Sequence, residues 1–251
     1  MAVDKIIAIT VLSGKGGVGK SVISLNLAIA LGSSGLKILL FDAGGGDIAF
    51  LANNGLFDQK SDTPNISVIA ENVNLYSALI SNPYSFQDES DIEKFLNSIV
   101  EVAPGYDCVV FDCLTGTGPL SYTLAGLSEI SLLVTTPDPT AIAGAYLMAR
   151  ALKNNGLASR AELLINQVES ADEAASLKTR FDILTKKFID CQFKQAGYIH
   201  KDQLLAESVL EQQPFLTWQA GSQSSRDFLR LAEKLSLSGG LHFETAFLKS
   251  Q

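Results

Sequence analysis

Short, almost uninterrupted apolar runs alternate along the chain with stretches of helical periodicity. The runs fall at residues 5–12, 37–42, 107–112, 130–135, 162–166 and 193–199. Several lack any polar alternation, as in Ile38-Leu39-Leu40-Phe41, which is the pattern of strands covered on both faces. Residues 20–31 and 172–189 have helix-forming composition, and 222–235 reads as a last helix with Gly239 and Gly240 soon after it. Within 172–189, Leu177, Phe181, Leu184 and Phe188 fall on one stripe, which is expected to lie in the core. The alternation predicts an α/β fold, a mostly parallel twisted sheet with helices on both faces. Residues 52–90, rich in Asn, Ser, Asp and Pro, break the rhythm. They are expected to form a loop-dominated excursion with short strands near 66–69 and 75–79. No repeat or linker divides the chain, which predicts one domain over residues 1–237 and a tail over 238–251.

Composition narrows the picture. Hydrophobic residues make up 47% of the 251, enough for a substantial core and too many for a disordered chain. No apolar run approaches the ~20 residues of a membrane-spanning helix. The chain opens without a secretory pattern, so a cytoplasmic protein is expected. Nineteen Lys and Arg against 27 Asp and Glu give a formal charge of −8, and no dense basic run occurs, which disfavours nucleic acid as a partner. Cys108, Cys113 and Cys191 lack metal-site spacing, and the first two are expected to be core thiols.

Chemistry concentrates where the first apolar run ends. Gly14-Lys15-Gly16-Gly17-Val18-Gly19-Lys20-Ser21 fits G-x-x-x-x-G-K-[ST], with a strand pattern before it and a helix pattern after. Successive backbone N–H groups and a helix N-terminus offer partial positive charge to phosphates, and glycines let the backbone approach them. Lys20 is placed to bridge the β- and γ-phosphates and Ser21 to ligate Mg²⁺, so ATP and Mg²⁺ are the expected cofactors. Two strand patterns end in aspartate, Asp42 and Asp112. Ligands of open α/β sheets sit at the carboxyl ends of strands, so both are candidates to hold Mg²⁺ or its waters. Gly116, soon after Asp112, is a candidate to offer its N–H to the γ-phosphate.

Lys15 makes the loop resemble the deviant Walker A motif of the MinD/ParA family of ATPases. The resemblance extends through "LLFDA", "VVFDCLTGTG", "LLVTTPDPTAIAGAY", "LLINQV", "AGYIHKD" and "QQPF". The later segments are most similar to the FlhG (FleN) branch of flagellar-number regulators. The resemblance implies a P-loop NTPase fold of MinD/ParA type and an ATP-dependent homodimer in which Lys15 reaches the partner subunit's nucleotide. It assigns Lys15, Lys20 and Asp42 to catalysis. It assigns Asn166 to the adenine edge and Asp202 to the base-side loop.

The sequence also departs from that family. A second aspartate, which positions the attacking water in relatives, is replaced by Gly44. Asp47, three residues further along a glycine-rich turn, need not point at the γ-phosphate. His200 stands where the family usually has proline beside the adenine, so an altered base pocket is expected. The N-terminal extension by which that branch acts on a GTPase partner is expected to be lacking. The tail carries Leu241, Phe243, Phe247 and Leu248 with little positive charge, so peripheral membrane association has weak support. The leading expectation is an ATP-dependent dimerising switch that regulates placement or number of a cellular structure and acts with a protein partner. Its rival is a scaffold that binds nucleotide and hydrolyses it very slowly or not at all.

Overall fold

The computed structural model describes residues 6–43, 47–53, 65–77 and 89–238. In chain order its elements are β1 (Ile7–Leu12), α1 (Lys20–Gly32), β2 (Ile38–Asp42), α2 (Asp47–Leu51), β3 (Asn65–Ala70), β4 (Val73–Ser77), α3 (Glu89–Val102), β5 (Cys108–Asp112), α4 (Pro119–Leu127), β6 (Ile130–Thr135), α5 (Pro139–Asn154), β7 (Ala161–Val168), α6 (Ala171–Ile189), β8 (Lys194–His200), α7 (Gln203–Leu210), α8 (Phe215–Trp218) and α9 (Gln223–Ser238). The strands form one sheet in the order β3-β4-β2-β5-β1-β6-β7-β8. Every neighbouring pair is parallel except β3–β4, an antiparallel edge.

The period-two geometry of a strand explains why its central members read as unbroken apolar runs. Ile9, Val11, Ile38, Leu40 and Val110 enter one buried cluster with α1 and α9. Their neighbours Ala8, Leu12, Leu39, Phe41, Val109 and Phe111 enter a second with α3, α4, α5 and α6 on the opposite face. Helices therefore cover both faces, as the sequence predicts. Cys108 and Cys113 are fully buried core thiols, and burial pushes both thiols up.

The structure departs from the sequence reading in two places and bears it out in a third. Phe188 is not core: it is 60% exposed, with its ring against Tyr146. The buried face of α6 runs through Leu177, Phe181 and Thr185 instead, because the helix drifts from a straight stripe. α3, α4 and α5 lie where the sequence reading placed no helix, although Phe95 and Ile99 of α3 fall on one buried face. Their boundaries rest on local punctuation, with Pro119 and Pro139 in the first turns of α4 and α5. The short strands expected near 66–69 and 75–79 are β3 and β4, the second of them beginning at Val73. Residues 78–88, 44–46 and 239–251, and with them Gly44 and nearly all of the tail, lie outside the described residues.

Candidate functional site

β1 sits between β5 and β6, and the chain leaves its carboxyl end into the loop 14–21 before entering α1. Gly17 and Gly19 hold φ of 78° and 85°, the left-handed region that a side chain disfavours. At Gly19 a Cβ would also come within 2.5 Å of Asn166 Nδ2. Gly14 has a different reason to lack a side chain, since a Cβ there would stand 1.9 Å from the Gly144 carbonyl oxygen of α5. The loop is thus seated directly on the backbone of another helix.

Beside the loop lies a cavity of about 300 Å³. Lys15, Gly17, Val18, Gly19, Lys20 and Ser21 line it, together with Ser13 and Thr115. Asp47, Phe50 and Val209 complete its wall. Asp47, not expected from the sequence to point here, is thus on the wall of the cavity beside the loop. Ser13 Oγ is buried with no hydrogen-bond partner among the described residues. Gly19, the N-cap of α1, offers no side-chain cap, so the first turn presents backbone N–H groups rather than a covering side chain.

The two strand-end aspartates are paired across β2 and β5, Asp42 opposite Asp112. Both are fully buried. Asp112 Oδ1 accepts from Lys20 Nζ at 2.7 Å and from Ser24 Oγ at 2.9 Å. Its Oδ2 has no partner among the described residues. Asp42 Oδ2 accepts from the Ile48 backbone N–H at 3.1 Å, tying β2 to α2. Neither carboxylate lines the cavity; Lys20 stands between Asp112 and it. The orphaned, buried Oδ2 fits a site that takes a cation, with Ser21 on the cavity wall as the further oxygen donor.

Lys15 takes the opposite course. Its ammonium reaches outward to Thr140 Oγ1 and lies 3.5 Å from Asp138 Oδ1, at the N-terminus of α5. Asp138 also caps that helix, accepting from the Thr140 and Ala141 backbone N–H groups at 2.6 and 3.1 Å. The Thr140 hydroxyl foremost, then the backbone N–H groups of Ala141 and Thr140, hold the Asp138 carboxyl down at about 2. Sequence reading missed this partner, although Asp138-Pro139 is a helix-start signature that could have marked it.

A second cavity, of about 570 Å³, meets the first at Gly19, Val22 and Val209. Asn166, Gln167, His200, Lys201, Asp202 and Gln203 supply its polar wall. Asn166 is fixed by Nδ2 donating to the Val18 carbonyl at 2.8 Å and Oδ1 accepting from the Gln167 N–H at 2.9 Å. Asp202 caps α7, accepting from the Leu204 N–H at 2.9 Å. Gly116 does not fit its expected part. Its N–H donates to the Ser13 carbonyl at 3.0 Å, with φ of 99°, and Thr115 lines the cavity instead.

Comparison with known proteins agrees with this geometry. Residues 9–215 match the CobQ/CobB/MinD/ParA nucleotide binding domain. Antiactivator FleN of Pseudomonas aeruginosa is 26% identical over 241 residues, covering 90% of this chain and 85% of that protein. Flagellum site-determining protein YlxH of Helicobacter pylori is 30% identical over 229 residues, covering 82% of this chain and 73% of that protein. Among solved structures, the septum site-determining protein MinD of Pyrococcus horikoshii, complexed with Mg-ADP, superposes with a TM-score of 0.71 at 23% identity, over 93% of this chain and 98% of that one. The matched domain takes in the phosphate loop, both strand-end aspartates and Asn166, and on that ground the chain belongs to the CobQ/CobB/MinD/ParA nucleotide-binding family.

Proposed function

We propose that the chain is an ATP-dependent dimerising switch of MinD/FlhG type that regulates placement or number of a cellular structure such as the flagellum. The observation that carries this reading is the division of labour between the two lysines of one phosphate loop. Lys20 is buried against Asp112, whereas Lys15 is 41% exposed and held only at the rim. A buried lysine suits phosphates of its own subunit, and a rim lysine suits those of a partner. Gly14, Gly16, Gly17, Val18 and Gly19 would supply the loop backbone. Asn166 and Asp202 would face the base in the second cavity.

Ser21, Asp112 and Asp42 would hold Mg²⁺, which when bound neutralises charge developing on the phosphates. Lys15, Lys20 and Asp42 would arrange charge for ATP hydrolysis. FleN and YlxH, by their names an antiactivator and a flagellum site-determining protein, support a regulator of cellular placement over a scaffold that responds to binding alone. A solved MinC:MinD complex supports a protein partner for this chain as well. No helix among the described residues is long and apolar enough to cross a membrane, and the proposed location is the cytoplasm.

The test is sedimentation with a non-hydrolysable ATP analogue and Mg²⁺. The parent chain is expected to be a dimer with the analogue and a monomer with ADP. Lys15→Ala is expected to bind the analogue and stay monomeric. A Lys15→Ala dimer as tight as the parent's would refute the cross-subunit role.

A further inference from the structure

Most polar side chains on the wall of the second cavity already have partners. Lys201 pairs with Glu169 at 2.9 Å, and Gln203 donates to Glu207 at 3.1 Å. Both groups of the Asn166 amide are engaged, as described above. His200 differs. Its Nδ1 lies 2.6 Å from Asp227 Oδ2, and its backbone N–H donates to the same oxygen at 3.0 Å. Its carbonyl accepts from Ser224 Oγ at 3.1 Å. Asp227 is buried, and its other oxygen accepts from Gln223 Nε2 at 3.2 Å and Arg230 at 3.4 Å. α9 therefore holds the residue at both its backbone and its ring.

Two consequences follow from elementary hydrogen-bond chemistry. A carboxylate only accepts, so the proton of the neutral imidazole sits on Nδ1. The lone pair then belongs to Nε2, on the ring edge turned away from Asp227, and this atom makes no hydrogen bond to any described residue. His200 lines the cavity with its side chain 21% exposed, while Asp227, 2% exposed, does not line it. Tyr198 stands edge-on to it at 5.2 Å, which limits tilting.

We infer that His200, oriented by Asp227, is a base-selecting residue that accepts a hydrogen bond from the 6-amino group of adenine and so favours ATP over 6-oxo purine nucleotides. The inference rests on the nucleotide reading of the site and adds to it the choice of base. A 6-oxo purine would set its O6 lone pairs against the Nε2 lone pair. A purine lacking any 6-substituent would simply forgo the bond. One neutral hydrogen bond of this kind is worth roughly a three- to tenfold difference in Kd. The mismatched lone pairs of a 6-oxo base add to that.

The experiment is equilibrium competition against a ribose-labelled fluorescent ATP analogue, with Mg²⁺, using ATP, purine riboside triphosphate and inosine triphosphate. The parent protein is expected to bind ATP about five- to tenfold tighter than purine riboside triphosphate and to bind inosine triphosphate more weakly still. His200→Phe keeps a flat ring at this position. It is expected to bring ATP and purine riboside triphosphate together while leaving the latter's Kd within about twofold. A parent that binds ATP and purine riboside triphosphate equally overturns the inference without any variant having to fold. A His200→Phe protein that keeps the parent's ratio overturns it too. Failure of all three triphosphates to bind would instead remove the nucleotide reading beneath it, and this inference with it.

Discussion

Lys20→Met should destabilise the protein more than Asp112→Asn, although both break the same ion pair. The pair is short, 2.7 Å, and its side chains are 8% and 0% exposed. Breaking a buried pair by removing one member typically costs about 3–5 kcal/mol, mostly from the charge left behind. Methionine fills much of the lysine's volume but leaves Asp112 at the end of a central strand, with Ser24 as its remaining donor. That carboxylate cannot move to water, and its Oδ2 already lacks a partner among the described residues. A loss of about 3 kcal/mol is expected. Asp112→Asn strands a charge that can escape, because Lys20 lines the phosphate cavity and its four-carbon stem can carry the ammonium to solvent. That relief should hold the loss to about 1–2 kcal/mol. With a urea slope of about 3 kcal/mol/M, the midpoints would fall by about 1 M and about 0.5 M. Urea titrations followed by circular dichroism, without nucleotide, measure both. The double variant should recover part of the Lys20→Met loss, since the stranded carboxylate is then gone. Equal losses, or a Lys20→Met loss below about 1 kcal/mol, would refute the reasoning.

Gly14→Ala is expected to unseat the phosphate loop, because its Cβ would stand 1.9 Å from a helix carbonyl oxygen that cannot yield. Calorimetry should show at least a tenfold weaker ATP affinity, and unchanged affinity would mean that the loop does not depend on its seat on α5. Gly44 supplies no side chain to orient an attacking water, so Gly44→Asp is expected to raise the single-turnover hydrolysis rate tenfold or more. Asp47 is the carboxylate that reaches the cavity wall, so Asp47→Ala is expected to lower the parent's rate by a similar factor. A parent rate indifferent to Asp47→Ala would leave that residue's placement without a catalytic consequence.

What the sequence discloses is governed by how local the physics is. The phosphate loop is legible because backbone curvature, N–H presentation and the following helix are specified within eight consecutive residues. Asp42 and Asp112 are legible as strand ends. Their in-register pairing across β2 and β5 is a matter of strand order, which no local signal carries. The same limit hid Asp227, 27 residues from His200, so the histidine reads from sequence as an isolated oddity instead of half of a pair. Gly116 illustrates the converse. Its position after Asp112 is right for a phosphate donor, but its N–H is taken by Ser13 on a neighbouring strand end.

The two lysines of the loop face different exchanges when a phosphate arrives. Each is tied to a carboxylate of another element, Lys20 to Asp112 and Lys15 to Asp138. Moving either onto a phosphate trades one anion for another, so the gain is smaller than a solitary lysine would give. Asp138 can release Lys15 at little cost. It is half exposed, and it keeps the Thr140 and Ala141 donors that hold it ionised. Asp112 has no such reserve, since losing Lys20 would leave a fully buried carboxylate with Ser24 as its remaining donor and an Oδ2 without a partner among the described residues. The inner exchange therefore calls for a second cation at Asp112, and the outer one does not. On the proposed reading, the requirement for Mg²⁺ would attach to nucleotide binding within one subunit. The proposed reach of Lys15 towards a second subunit would be set by the looser contact at the head of α5.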